Sequence, residues 1–547
     1  MATDRWTAVR ERIAGVVADW LQAAGVPAGA VTVEVGEPTE AGHGDLTTNA
    51  ALRAARYLRR PPQAIAAELA AKWPGLPEVE RVEAGGPGFL NFTLSTAWLR
   101  DVVADVRAGR ADYGRSTVGA GRRVLLEFVS ANPTGPLVAV NGRAAALGDA
   151  LARLLEWCGF SVDREYYVNN AGVQIQRLGQ ALWLRLEEMR GVDVQSSWPE
   201  GVYPGEYVKD LARAYLDEVG RPAVPDYDAL GAWAAERLRA EHEAVLRRFG
   251  VVFDRWAEER ALRAAGAPEA VVAELRARGL VREEDGALWF RSTAFGDDKD
   301  RVLVKSDGEY TYLVPDAAYH RDKFARGYDL LIDLLGPDHH GYVSRIRAIV
   351  EALTGRGEHL EIIIVQLVRL VRNGEPVRMS KRGGTFVTLE EVLEETGVDA
   401  ARYFFVERAP DTPLDFDLNL AQLKTQANPV YYIQYAGARI HSILRRAGVV
   451  PPDPDLSPLG DATERALFVD LARFPDVVRE AARVRGPHLV ARYLLDLASH
   501  FHTFYRFNRI LGEPPPVEAA RLALAEAVLI VLERAAALIG VGIPETM

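Results

Sequence analysis

A chain of 547 residues is too long for a single hydrophobic core and predicts roughly two to four domains. Its content of 48% apolar and 26% charged residues is that of a soluble globular protein, and a net charge of −11 excludes a global basic field while leaving room for a local basic groove. Cys158 is the only cysteine, which excludes an intrachain disulfide and a cysteine-built zinc site and fits a reducing, cytoplasmic setting.

The first residues, M-A-T-D-R-W-T-A-V-R-E-R, mix acids and bases and lack the apolar core of a signal peptide. Residues 1–115 read as a small α+β module. It has a helix near 5–24, a short strand through Val31, Val33 and Val35, a helix near 46–73, and the stretch G-G-P-G-F-L-N-F at 85–92. From about 120 to 395, strands alternate with helices, which predicts a parallel α/β domain, interrupted by a helical insertion at about 170–280. The stretch R-V-L-V-K-S-D-G-E-Y-T-Y-L predicts a hairpin turning at Asp307-Gly308. From 396 to 547 helical periodicity dominates around a proline-rich break at 451–458, so an all-helical bundle is expected. The apolar stretch 522–541 is interrupted by Glu526, Glu533 and Arg534 and reads as a packed helix, not a membrane span.

Two segments carry chemistry. Residues 124–151 run from an apolar strand (Val124, Leu125, Leu126, Phe128, Val129) through a turn with Pro133, Gly135 and Pro136 into a helix. Leu147, Leu151, Leu154, Leu155 and Cys158 share one face of that helix, which packs it on the sheet. Its N-terminus, with open N–H groups and the positive end of the dipole, then points at the carboxyl edge, where an anion is favoured. The second segment, N-G-E-P-V-R-M-S-K-R-G-G-T at 373–385, is a glycine-rich cationic loop that leads into a capping box of Thr388 and Glu391. A lysine beside glycines suits a loop that closes over a polyphosphate and stabilises charge during transfer.

In these two segments the chain resembles the class I aminoacyl-tRNA synthetases, with their HIGH turn and downstream lysine loop. It resembles bacterial arginyl-tRNA synthetase more narrowly. The matching segments keep the family's order: E-F-V-S-A-N-P-T-G-P-L at 127–137, Y-Y-V-N-N-A-G-V-Q at 166–174, Y-L-V-P-D-A-A-Y-H at 312–320, G-P-D-H-H-G-Y at 336–342, V-R-M-S-K-R at 377–382 and N-P-V-Y-Y-I-Q-Y-A-G-A-R at 428–439. G-H-G-D-L-T-T-N-A-A at 42–51 and G-P-G-F-L-N-F at 86–92 are similar to its N-terminal module. The resemblance implies an α/β fold: a Rossmann-like catalytic domain, an N-terminal α+β module and a C-terminal all-α anticodon-binding bundle. It also implies ATP-dependent activation of arginine and its transfer to tRNA(Arg).

Carried over by motif, Glu127, Ser130, Asn132, Tyr312, Asp316 and Gln366 would hold arginine, the carboxylates meeting its planar guanidinium fork. Asn141, Gly142, Asp338, His339, Met379 and Lys381 would hold ATP, with Lys381, Ser380 and Asn141 stabilising the phosphates. Tyr431, Tyr432 and Tyr435 would offer rings to tRNA bases. ATP would bring Mg²⁺ with it, with no tightly bound cofactor and no metal site at His339-His340. A monomer with no membrane partner is expected.

The chain departs from the pattern in two places. Asn170 stands where the family has Asp, and Val138, Ala139, Val140 and Asn141 replace the signature His-Val-Gly-His. Two imidazole donors to the phosphate are missing, and Val140 brings a β-branched side chain where glycine lets adenine approach. Losing one transition-state donor costs about 2.7–4 kcal/mol. Two readings follow, an arginine–tRNA ligase with an altered signature or a catalytically weakened relative that binds tRNA or arginine.

Overall fold

The computed structural model describes residues 4–40, 42–194, 198–377 and 387–547. The first part contains α1 (Arg5–Ala23), β1 (Leu46–Thr48), α2 (Ala50–Leu58), α3 (Pro62–Ala71), β2 (Val79–Gly85), β3 (Phe89–Leu94) and α4 (Thr96–Gly109). Its strands form an antiparallel sheet in the order β1-β3-β2. The segment expected as a strand through Val31, Val33 and Val35 is not one and touches the sheet only by a bridge from Gly36 to Thr47. Side chains take its carbonyls instead: Arg53 donates to Thr32 O, Thr48 to Glu34 O and Arg10 to Val35 O. The single helix expected near 46–73 is β1 followed by two helices. Arg59 breaks them in the left-handed conformation and Pro62 starts the second.

The central part runs through β4 (Arg123–Glu127), α5 (Ala139–Trp157), β5 (Ser161–Val168), α6 (Val173–Glu188), α7 (Tyr207–Glu218), α8 (Tyr227–Arg248), β6 (Arg255–Glu258), α9 (Glu259–Ala264) and α10 (Ala267–Ala277). It continues with β7 (Val281–Glu284), β8 (Ala287–Phe290), β9 (Arg301–Val304), α11 (Leu313–Ala325), β10 (Leu330–Leu335), α12 (Val343–Thr354), β11 (Leu360–Ile364), β12 (Val368–Arg372) and β13 (Glu375–Pro376). Five strands make a parallel sheet in the order β11-β10-β4-β5-β6. The chain winds from β4 towards β5 and later returns on the other side of β4 with β10. A crevice therefore opens at the carboxyl ends of β4 and β10, where α/β sheets place ligands. The segment expected to be a helical insertion also supplies β6, the edge strand of this sheet. The expected hairpin forms as a short one turning at Asp307-Gly308: Lys305 N donates to Glu309 O at 2.9 Å and Thr311 N to Leu303 O at 2.8 Å around a bridge between Val304 and Tyr310, while β9 also pairs with β8.

The last part holds α13 (Leu389–Thr396), α14 (Val398–Val406), β14 (Leu414–Asp417), α15 (Leu418–Gln422), α16 (Pro429–Ala447), α17 (Ala462–Arg483), α18 (His488–Phe507) and α19 (Pro515–Leu538). It is not free of strands, since β14 pairs in parallel with β12. Helix α5 is buried along both faces, with the sheet on one side and α14, α17 and α19 on the other. Arg402 of α14 ties these layers together. Its guanidinium is buried and donates to Asp149 of α5, to Ile539 O at 3.0 Å and to Phe249 O at 3.1 Å. Arg465 of α17 reaches Asp45 at 2.9 Å and Leu94 O at 2.9 Å, docking the first part on the helical bundle. Among the described residues, no helix is long and apolar enough to cross a membrane.

Where α5 lies on β4 the approach is close enough to require glycine, because a Cβ on Gly148 would sit 2.3 Å from the Phe128 ring. Gly148→Ala should therefore lower the thermal midpoint, an overpacking cost of about 1–3 kcal/mol, as a thermal unfolding scan would show. A midpoint equal to that of the parent would mean that α5 rides further from the sheet.

Candidate active site

The site starts where β4 runs out. Ser130 N donates back to Phe128 O at 2.9 Å, closing a γ-turn that forces Val129 to φ 68° and Ser130 to φ 39°. Positive φ is unfavourable for any side chain and worst for a β-branched one, at about 1–3 kcal/mol per residue. Several bonds hold this backbone in place. Ser130 Oγ donates to Glu127 Oε1 at 2.8 Å and accepts from Tyr167 N at 3.1 Å, and Tyr166 OH donates to Ala131 O at 2.9 Å. The result points Glu127 into the crevice floor.

Below it lies a buried charged network. Lys323 of α11 donates from Nζ to Glu127 Oε2 and, at 2.9 Å, to Asp333 Oδ1 of β10. His320 sits 2.7 Å from Asp333 Oδ2 through Nε2 and 2.7 Å from Asp316 O through Nδ1. Both partners only accept, so the ring satisfies both only with a proton on each nitrogen. Burial pulls the Lys323 ammonium down, but Asp333 and Glu127 outweigh it and hold its pKa above the ordinary lysine value. Burial opposes the Asp333 carboxylate too, and there Lys323 and His320 win and hold it low. Glu127 is pushed up by burial more than Lys323 pulls it down.

Asp316 is different. Its only side-chain hydrogen bond among the described residues is from Tyr342 OH, at 2.8 Å. Part of its surface still faces the cleft, yet dense surrounding protein raises its pKa, with Tyr342 and His320 opposing and Glu259 adding to the rise. Glu259, buried at the start of α9, bonds Arg263 at 2.7 Å. The Tyr167 hydroxyl lies among Glu259, Asp316 and Glu127, without a well-formed hydrogen bond among the described residues. Three carboxylates thus surround one phenol, and among the described residues only Glu127 and Glu259 are paired with cations. Glu259 went unread in the sequence because R-W-A-E-E-R looks like an exposed helical stretch.

The other expected site residues are placed unevenly. Asn132 is exposed at the turn and Gln366 follows β11, half-buried. Asp338 and His339 are exposed just beyond β10, on a short 3₁₀ turn. Tyr312, expected to line the arginine pocket, is 82% exposed. It stands one turn before Asp316, as the N-cap of α11, with its ring in solvent. Gly142 faces the core, where a Cβ would meet Leu389 at 2.5 Å, and its N–H is taken by Val138 O. There it packs closely against Leu389 and Phe405. Asn141 Oδ1 accepts from Val138 N at 2.9 Å, closing the first turn of α5. Val138 in turn bridges Thr388, and Leu389 N donates to Leu137 O at 2.8 Å. Met379, Ser380 and Lys381 lie outside the described residues.

Asn170 has a local explanation. Its Nδ2 donates to Glu258 at 3.2 Å and its Oδ1 accepts from Arg260 N at 3.1 Å. An aspartate would set a second negative charge against Glu258, so the amide suits this neighbour.

Three family models cover most of the chain: "Arginyl tRNA synthetase N terminal domain" at residues 8–94, "tRNA synthetases class I (R), catalytic domain" at 232–433, and "DALR anticodon binding domain" at 433–547. The arginine–tRNA ligase of Symbiobacterium thermophilum is 46% identical over 555 residues, covering 98% of each chain. That of Carboxydothermus hydrogenoformans is 45% identical over 554 residues, covering 98% of this chain and 99% of the relative. The chain belongs to the arginyl-tRNA synthetase family. The solved arginyl-tRNA synthetase of Thermus thermophilus superposes with a TM-score of 0.78 at 25% identity, over 98% of this chain and all of that one.

Two further features acquire meaning in that family frame. Arg143, buried in α5, donates to Gln366 O at 3.0 Å, Ala409 O at 2.9 Å and Thr412 O at 2.8 Å, fixing the end of β11 against the segment before β14. Burial pushes its pKa down to about 10. In the helical bundle, Tyr431 stacks on Tyr435 at 6.0 Å, Tyr432 packs on His502 at 4.3 Å, and Arg439 lies over Tyr435 at 4.4 Å. All three tyrosines are half-buried, so each has an edge in the bundle and an edge outside.

Asp316 also makes a prediction. A carboxyl whose folded pKa is raised destabilises the fold as pH climbs from its ordinary value, about 4, through the raised one. Asp316→Asn, which keeps an acceptor for Tyr342, should therefore melt higher than the parent at about pH 8, and the gain should vanish at about pH 4. A gain independent of pH would mean that Asp316 titrates normally.

Proposed function

We propose that the chain catalyses ATP-dependent ligation of L-arginine to tRNA(Arg), with Asp316 as the charge that selects the guanidinium. The supporting observation is that Asp316 reaches the crevice with no cation bonded to it among the described residues, while Glu127 is already joined to Lys323. A bound guanidinium would supply the missing charge, with Glu259 and Tyr167 beside it. Asn132, Ser130 and Gln366, around the end of β4 and β11, would orient the amino and carboxylate groups. Tyr312 would join only by folding inward over the substrate.

In the first step an arginine carboxylate oxygen attacks the α-phosphorus of ATP, and the bond to the leaving pyrophosphate breaks. In the second, a hydroxyl of the terminal tRNA ribose attacks the arginyl carbonyl carbon and AMP leaves. Ala139 and Val140 N–H open the N-terminus of α5 towards the phosphates, because the next two N–H groups are taken by Val138 O. Asp338 and His339 would meet the ribose and adenine, Lys381 and Ser380 the outer phosphates, and Mg²⁺ would arrive with ATP. The tRNA would lie along the bundle at Tyr431, Tyr432 and Tyr435, with the N-terminal module reaching its elbow. The enzyme would work as a monomer.

The altered turn supports a second reading, slow adenylation, because neither signature imidazole is present. ATP–pyrophosphate exchange with arginine and tRNA tests both. The parent should exchange, and Asp316→Ala should not. Restoring the turn with Val138→His, Ala139→Val, Val140→Gly and Asn141→His should raise the rate by at least about 10²-fold, the lower end for one regained donor. No exchange from the parent or the restored turn would refute the ligase assignment. Unchanged exchange after restoration would show that the α5 N-terminus and Asn141 suffice.

A further inference from the structure

The turn that carries Asn132 and leads to α5 is not held by its own sheet alone. Two elements of the insertion reach into it. Tyr207 at the start of α7 donates from its hydroxyl to Thr134 O. His242 of α8, only 2% exposed, lies with Nε2 2.7 Å from Gly135 O and with Nδ1 3.1 Å from the Tyr166 hydroxyl. That same hydroxyl is 2.9 Å from Ala131 O. One imidazole and one phenol therefore span the turn, gripping carbonyls four residues apart.

The chemistry of the contact fixes its direction. Gly135 O can only accept, so Nε2 carries the proton. Burial pushes the imidazole down to about 4 and leaves the ring neutral, so Nδ1 is an acceptor aimed at Tyr166. The Tyr166 proton then serves both Nδ1 and Ala131 O. Tyr166 itself has no freedom to move: it is fully buried, stacked on Trp256 at 4.2 Å and edge-on to Phe253 at 5.3 Å. A backbone strained at Val129 and Ser130 needs such restraint, because relaxation of either residue would swing Asn132 and tilt the start of α5.

We propose that His242 is a positioning residue for catalysis, which holds the 131–135 turn in its reactive conformation through the Gly135 carbonyl. The inference rests on the reading of that turn as the holder of arginine and ATP. It gives the insertion a part in the chemistry without any contact with substrate.

Glutamine at 242 can place its amide N–H near the position of Nε2, whereas leucine fills the volume and donates nothing. Full-length His242→Gln and His242→Leu are compared by hydrogen–deuterium exchange of peptides within 128–140, by thermal melting, and by arginine-dependent pyrophosphate exchange. His242→Leu should speed exchange in those peptides by at least about tenfold and leave peptides of α17 and α18 unchanged. It should lower kcat by about 10- to 100-fold with arginine KM within about threefold, since misplacement by about an ångström is enough. His242→Gln should restore both to within about threefold of the parent. Tyr166→Phe should loosen the same peptides. If leucine leaves them as protected as the parent, or glutamine is as damaging as leucine, His242 is only a core residue and the proposal fails. An inactive parent would overturn the ligase reading while the exchange pattern still decides on His242.

Discussion

Lys323 places one ammonium between the carboxylates that end β4 and punctuate β10, and the rest of the site is arranged around that contact. Two buried carboxylates on adjacent parallel strands repel, and removing the cation between them would leave them uncompensated at a cost of several kcal/mol. Helix α11 supplies the cation from its C-terminal half, where Lys323 reaches Glu127 and Asp333. The same helix, nearly two turns earlier, lifts Asp316 to the crevice. One element thus neutralises the floor and presents the unneutralised charge at the mouth. His320, between them, ties the backbone of one to the side chain of the other.

The strained turn after β4 is the second constraint. Glu127 can be served by Lys323 below and Ser130 above only if the backbone turns abruptly at Val129, and a β-branched residue resists that turn. Its carbonyls are gripped from the sheet by Tyr166 and from the insertion by His242 and Tyr207. Sheet, insertion and the α5 N-terminus are consequently one mechanical unit. Arg143 extends the unit to β11 and to the segment before β14, which leads into the helical bundle where the tyrosines lie.

Much of this was legible in the sequence. V-L-L-E and L-L-I-D-L-L are short apolar runs that fit buried parallel strands, and α5 showed its apolar stripe. The short strands β6 (R-W-A-E) and β14 (L-D-F-D) were not, because four alternating residues among helices carry no distinctive period. Glu127 and Asp316 were reachable through the motifs that contain them. Lys323, Glu259, Arg143 and His242 were not, since each looks like an ordinary polar position of a helix and becomes buried only where separate elements meet. Tyr312 was reached through the same motif as Asp316, and its ring lies exposed at the start of α11.

Asp316, and not Glu127, is proposed to provide the charge that distinguishes arginine. The direct measurement is calorimetric binding of arginine and of citrulline, its neutral isostere, to the full-length parent and to Asp316→Asn. The parent should prefer arginine by at least about 10²-fold, and the variant should narrow the preference to within about threefold, because the buried cation would lose its partner. A preference undiminished in Asp316→Asn would place the selecting charge on Glu127 or Glu259 and contradict the account.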